Sequence, residues 1–271
     1  MIRWIFFDVG NVLMNDDPVM AFLYEELYRS VLESGRRIRF RQLLEDREGA
    51  IRKAGPGHWA VLGRRYLGED GLKALIARCT ATLRRGYMDY HSVIPGMPEA
   101  VRSLAGRYGL GLIANQLREV LPALDAAGLG RWFRVKAVSE IVGLEKPDPA
   151  MFRWALRAAG CRPEEAIMVG DRVDNDIAPA RGIGMWTVWV HIPHHERETE
   201  ARNRRADLYQ ASQMRVSVSS LGPRTERETP DADATSAEGL VRAVADLAAR
   251  SRGTEKNGTW TETKDGARRG R

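Results

Sequence analysis

From Pro95 to Val190 the chain alternates apolar strand-like runs with amphipathic helical ones, and this rhythm constrains the fold more than any other feature. "PEAVRSLAGRYG" reads as a helix, "LGLIAN" as a strand, "REVLPALDAAG" as a helix and "FRVKAV" as a strand. The pattern then repeats through "DPAMFRWALRAAG", "EAIMVGD", "NDIAPARGIG" and "MWTVWV". Strands joined through helices run parallel, because each crossover is right-handed and returns the chain to the same edge of the sheet. Residues 2–7 add an uninterrupted apolar run, as expected for a strand covered on both faces. The expected fold class is α/β, a doubly wound parallel sheet.

A second pattern interrupts the first. In "DPVMAFLYEELYRSVLESG", Asp17 is placed to cap a helix, Pro18 suits its first turn, and Gly35 can end it in a left-handed conformation. Met20, Leu23, Leu27 and Val31 are its expected buried stripe. Further helical segments at about 39–53, 57–67 and 69–88, separated by glycines, make residues 14–92 a helical insert. The core is then 1–13 with 93–250. Within it, 194–230 is polar and weakly periodic, and is expected as an irregular insertion. "PDADAT" and "AEGLVRAVADLAAR" return a short strand and a final helix. Residues 251–271, rich in Gly, Thr, Lys and Arg, are expected to be a disordered tail.

Composition narrows the function classes. The formal charge is +6, but arginines alternate with acids along the chain, which favours a solvated surface over a nucleic-acid partner. The amino-terminal apolar run is broken at Asp8, so it fits neither a signal peptide nor a span of about 20 apolar residues. Cys79 and Cys161 lie far apart with no ligand spacing, which suggests reduced thiols and a cytoplasmic location.

In an open α/β sheet, ligands bind outside the carboxyl ends of the strands. The polar residues ending the strands here are Asp8, Asn115 and Asp171, with Lys146 just past a strand and its loop. Two acids, an amide and a lysine at one rim are an inventory for a magnesium ion and a phosphoryl group. Magnesium takes oxygen ligands, and a carboxylate can serve as a covalent nucleophile.

"FFDVGNVL", "LGLIANQ", "VGLEKPDPAMF" and "IMVGDRVDNDI" follow the order and approximate spacing of four motifs. In them the chain resembles the haloacid dehalogenase-like (HAD) hydrolases, over residues 4 to about 190. The resemblance implies a Rossmann-like core with a helical cap of the first type at the insert. It implies that Asp8 is the nucleophile, that the Gly10 carbonyl and Asp171 join Asp8 around magnesium, and that Asp176 supports the metal. Lys146 then balances the charge of Asp8 and the phosphate, with Asn11 and Asn115 on the phosphate side. Two positions depart from the family pattern. Gly10 stands where its phosphatases usually carry a general acid two residues after the nucleophile, and Ala114 stands where a Ser or Thr usually donates to phosphate. Without an acid at residue 10, aryl phosphates should be hydrolysed much better than alkyl ones.

Three readings remain open at this level: a magnesium-dependent hydrolase of small phosphorylated metabolites, a metal-independent dehalogenase, and a catalytically weak phospho-ligand or partner-binding protein. His191, His194 and His195 in "HIPHH" lack a suitably spaced acid or Cys and fit a surface loop. Trp132, Trp154, Trp186 and Trp189 fit the core or the cap interface. Trp59, with His58 in "GPGHWAVLG", is placed to reach over the site and select substrate.

Overall fold

The computed structural model describes residues 1–55, 57–197 and 203–253. Strand β1 (Trp4–Phe7) leads through β2 (Met14–Asn15) into helices α1 (Asp17–Glu33), α2 (Phe40–Ala54) and α3 (His58–Arg85), and β3 (Ser92–Val93) brings the chain back. There follow α4 (Met97–Ala105), β4 (Gly109–Ala114), α5 (Val120–Ala126), β5 (Phe133–Val138), α6 (Ser139–Val142) and α7 (Pro149–Ala159). The remainder is β6 (Ala166–Gly170), α8 (Ala178–Gly182), β7 (Trp186–Val190), α9 (Arg204–Arg215), β8 (Ala232–Ala234) and α10 (Ala237–Gly253). Among the described residues six strands form one sheet in the order β5-β4-β1-β6-β7-β8, and every neighbouring pair is parallel. This is the doubly wound α/β fold expected from the alternation.

Successive side chains of a strand point to opposite faces. Ile5 and Phe7 accordingly enter one apolar layer with Leu104 of α4 and Val244 of α10, while Phe6 enters the other with Met151 and Phe152 of α7. Burial on both faces is why the central strands read as continuous apolar runs.

The insert hangs from a two-residue antiparallel ladder between β2 and β3. Helix α3 is broken at Gly68, where φ is 72° and ψ is −178°, so the insert has four helical stretches. The left-handed turn at Gly35, with φ 84°, occurs as expected. Two local expectations need correction. Asp16, not Asp17, occupies the N-cap of α1, and it makes no capping hydrogen bond with its side chain. Asp17 turns inward, accepting from Gln213 Nε2 at 3.0 Å and pairing with His194 Nδ1 at 2.7 Å. The α1 stripe is also rotated. Leu27 and Val31 are buried as expected, but Ala21 and Tyr24 are buried where Met20 and Leu23 are half-exposed. Helix α1 is packed on two sides, by α3 and by α9.

Helix α9 corrects the expectation of an irregular insertion at 194–230. Its Ala206 and Tyr209 join the same apolar cluster as Tyr24, Leu43 and Leu62 of the insert. Its buried stripe also contains Ser212 and Gln213, so its apolar periodicity is too weak to announce a helix. Arg47 of α2 secures it, donating to Ser212 Oγ at 3.0 Å and to the Val216 carbonyl at 3.1 Å. Tyr209 is 1% exposed. Tyr209→Ala should therefore cost about 3–5 kcal/mol of stability, measured by denaturant unfolding. A loss under about 1 kcal/mol would mean that α9 docks only loosely.

The start of the expected tail is also ordered. Ser251 lies within α10, where its Oγ accepts from the Ile2 amide at 3.3 Å and donates to the Ala248 carbonyl at 2.9 Å. The rest of that expectation, 254–271, lies outside the described residues.

Candidate active site

Strands β1 and β6 are neighbours at the point where the strand order reverses, and residues following them meet in the crevice outside the sheet. The Asp8 amide donates to the Val169 carbonyl at 2.8 Å, so the residue is fixed to β6 just beyond β1. Asp171 follows β6 directly, and Asp176 reaches the same place through a single π-turn over Val173–Ile177. Such turns recur at functional sites. A Cβ on Gly170 would lie 2.3 Å from Asp176 Cβ, so only glycine lets this turn fold back onto the strand end. Asp8, Asp171 and Asp176 are all buried and each brings an oxygen within 4.8 Å of the others.

Lys146 Nζ lies 2.8 Å from Asp8 Oδ1 and 2.6 Å from Asp176 Oδ1. Burial opposes the ammonium charge, but Asp176 and then Asp8 outweigh it and hold Lys146 protonated. Burial pushes the Asp176 carboxyl up to about 7 against the pull of Lys146. The second Asp176 oxygen accepts from the Arg172 amide at 3.0 Å, so both its oxygens have partners. Burial and then the charge of Asp8 raise Asp171 as well. Among the described residues, Lys146 is the one lysine or arginine in ion-pair contact with these three acids. The excess of buried carboxylate, all hard oxygen donors, fits a divalent metal ion.

The two amides arrange this cluster. Asn115 Nδ2 donates to the Lys146 carbonyl and its Oδ1 accepts from the Lys146 amide, each at 2.8 Å, so its side chain clamps the lysine loop. Asn11, in a left-handed conformation with φ 52°, donates from Nδ2 to Asp171 Oδ2 at 3.2 Å. Its Oδ1 accepts from the Asp16 amide at 3.2 Å and from Arg197 Nη1 at 2.7 Å.

A cavity of about 290 Å³ opens over Asp8, Asp171 and Lys146, with Gly10 and Asp16 also on its wall. His58 and Trp59, at the start of α3, line it too. Trp59 Nε1 donates to the Leu23 carbonyl at 3.0 Å. His58 Nδ1 pairs with the Tyr24 hydroxyl at 2.6 Å, and burial pushes this imidazole down to about 4, leaving it neutral. None of the three histidines of "HIPHH" lines the cavity. His194 meets Asp17, His191 pairs with Asp233 at 3.3 Å, and His195 is exposed.

Three residues around the acids, Ser219, Arg197 and Asp16, gave no sequence signal, and a fourth, Trp189, expected in the core or at the cap interface, is half-buried beside Asp171. Ser219 Oγ donates to Asp171 Oδ2 at 2.7 Å, and Trp189 Nε1 donates to the Asp171 carbonyl at 2.9 Å. Arg197 holds Asn11, and the Asp16 carboxyl packs against Gly10. Ser219 and Arg197 come from the segment read as irregular, where no periodicity marks a position. Asp16 stood beside Asp17, and one helix start accommodates only one capping residue.

Residues 2–184 match the family model described as haloacid dehalogenase-like hydrolase. The chain belongs to that family of hydrolases. It is 28% identical over 200 residues to a glyceraldehyde 3-phosphate phosphatase of Methanocaldococcus jannaschii, covering 70% of this chain and 85% of the relative. It is 32% identical over 225 residues to a phosphoserine phosphatase of Thermus thermophilus, covering 70% of this chain and 88% of the relative. The crystal structure of a HAD phosphatase from Thermococcus onnurineus shares the fold, with a TM-score of 0.57 and 20% identity over 90% of this chain and 98% of the other.

Proposed function

We propose that the protein is a magnesium-dependent phosphatase of small phosphorylated metabolites that acts through an aspartyl-phosphate on Asp8. The observation that carries this reading is the contact of Asp8 with Lys146 at 2.8 Å, on the floor of a cavity shared with Asp171. A carboxyl group held in place by a buried ammonium is a positioned nucleophile, and the same ammonium offsets charge on an arriving phosphoryl group. Asp8 and Asp171 would hold the metal, with Asp176 behind them and Asn11 and Asn115 fixing the loops around the phosphate. Bound magnesium would neutralise part of the phosphate charge and orient it. The phosphatase names of the relatives support phosphoric monoesters as substrates. Two free cysteines, Cys79 and Cys161, support a reducing, cytoplasmic compartment. Among the described residues no helix is long and apolar enough to cross a membrane.

The test is phosphate release from a panel containing a triose phosphate, a phosphoamino acid and an aryl phosphate, with magnesium and with a chelator. Release that requires magnesium is the expected result. Halide release from a 2-haloacid without metal would replace this reading with the dehalogenase one. Phosphate binding without turnover of any panel member would replace it with the binding-protein one.

A further inference from the structure

The phosphatase reading, on which this inference rests, leaves one role empty, because residue 10 is glycine and no acid there can protonate the departing oxygen. We propose that Asp16 fills this role, its carboxyl standing where a side chain at residue 10 would begin and acting on the leaving group and then on water. A Cβ built on Gly10 would fall 2.3 Å from Asp16 Oδ2 and 3.0 Å from Asp16 Cγ. Gly10 is not among the glycines with positive φ, so its backbone does not require glycine there. Space does. The site therefore has a carboxyl in the expected volume, delivered from six residues further along the chain.

The loop after β1 makes this delivery. The Leu13 and Met14 amides both donate to the Val9 carbonyl at 2.9 Å, and the Asn11 amide donates to the Met14 carbonyl at 2.6 Å. Asn11 Oδ1 then takes the Asp16 amide at 3.2 Å, which folds residue 16 back beside residue 10. An Asp at a helix start ordinarily accepts from the first-turn amides. Asp16 makes no such bond, and among the described residues its buried Oδ1 has no hydrogen-bond partner. His91 stands behind it. The His91 Nδ1 lies 2.8 Å from the Tyr87 carbonyl and so carries the proton of a neutral ring, which leaves Nε2, 3.7 Å from Asp16 Oδ1, as an acceptor facing the carboxyl.

The chemistry balances in two steps. Asp8 attacks phosphorus, the ester P–O bond breaks, and the departing oxygen takes the Asp16 proton to leave as an alcohol. The Asp16 carboxylate then takes a proton from water as the water oxygen attacks the aspartyl-phosphate. The bond from phosphorus to Asp8 breaks, which releases phosphate and restores both side chains. The net reaction consumes one water and one ester.

This changes the substrate expectation drawn from Gly10. Alkyl phosphates should be hydrolysed by the wild type at rates comparable with aryl ones. In Asp16→Asn, kcat/KM for an alkyl phosphate should fall by about 10²–10⁴-fold, the usual scale of acid–base assistance, while kcat/KM for an aryl phosphate changes little. With the aryl substrate the variant should release a burst of phenol, then slow, and accumulate enzyme carrying one added phosphoryl group by intact mass. The double variant Gly10→Asp/Asp16→Ala moves the acid into the vacated space and should recover alkyl turnover. An equal fall for both substrates with no phosphoryl-enzyme, or no recovery in the folded double variant, overturns the assignment. A wild type that hydrolyses neither ester overturns the phosphatase reading, and this one with it.

Discussion

Asp8→Asn should abolish turnover, by roughly 10⁶-fold, the scale seen when a covalent nucleophile is removed, while leaving the protein folded and no less stable. The amide matches the carboxylate in shape but cannot attack phosphorus. The stability half of this expectation follows from charge. Asp8 shares its pocket with Asp171 and Asp176, and Lys146 still keeps Asp176 at 2.6 Å after the change. Removing one acid from a cluster of three that shares a single lysine relieves repulsion. Thermal unfolding in a chelator at pH 7 should show a Tm equal to or above that of the wild type. Intact mass after incubation with an aryl phosphate should show no phosphoryl-enzyme. Near wild-type activity would remove Asp8 from the nucleophile role.

Lys146→Met should do the opposite to stability. The Lys146 side chain is fully buried between Asp8 and Asp176. Breaking a buried pair by removing one partner leaves uncompensated charge and costs about 3–5 kcal/mol, a fall in Tm of roughly 10 °C for a chain of this size. The backbone of residue 146 should stay in place, because Asn115 holds its amide and carbonyl rather than its side chain. The sign of the pH dependence is fixed. Asp176 already titrates near 7 in the fold, above its unfolded value near 3.9, and loss of Lys146 raises it further. A carboxyl whose folded pKa is raised binds its proton more tightly when folded, so its contribution is present at low pH and lost as pH rises. The deficit of Lys146→Met, measured by denaturant unfolding in a chelator, should therefore shrink between pH 7.5 and 5. A deficit independent of pH would point to lost packing instead of unpaired charge.

Much of the fold was legible because it rests on short-range patterns. "FRVKAV" forms β5 over the same six residues, and "LGLIAN" contains all but the first residue of β4. Parallel strands buried on both faces are apolar throughout, and their helices carry stripes that a reader can count. The acids at the ends of β1 and β6 were legible for a related reason. A carboxylate closing an apolar run contrasts with its neighbours, and the sheet topology puts all such ends on one rim. Asn115 was legible as an amide at a strand end, but the target of its side-chain atoms, the Lys146 backbone, was not, since either a ligand or a neighbouring loop is compatible with a strand-end Asn.

What the sequence determined by itself was therefore the doubly wound sheet, its helical insert, and the identity of the residues at the strand ends. Each follows from local periodicity and from the rule that sheet order and handedness bring those ends together. Tertiary structure alone decided that α9 packs into the insert's core, that Ser219 and Arg197 reach the site, and that Asp16 stands in the space of the missing side chain at residue 10. Those contacts join residues whose separation along the chain bears no relation to any helix or strand period. Their positions depend on how a loop reverses and how helices dock, and both are set by burial and hydrogen bonding summed over the whole molecule.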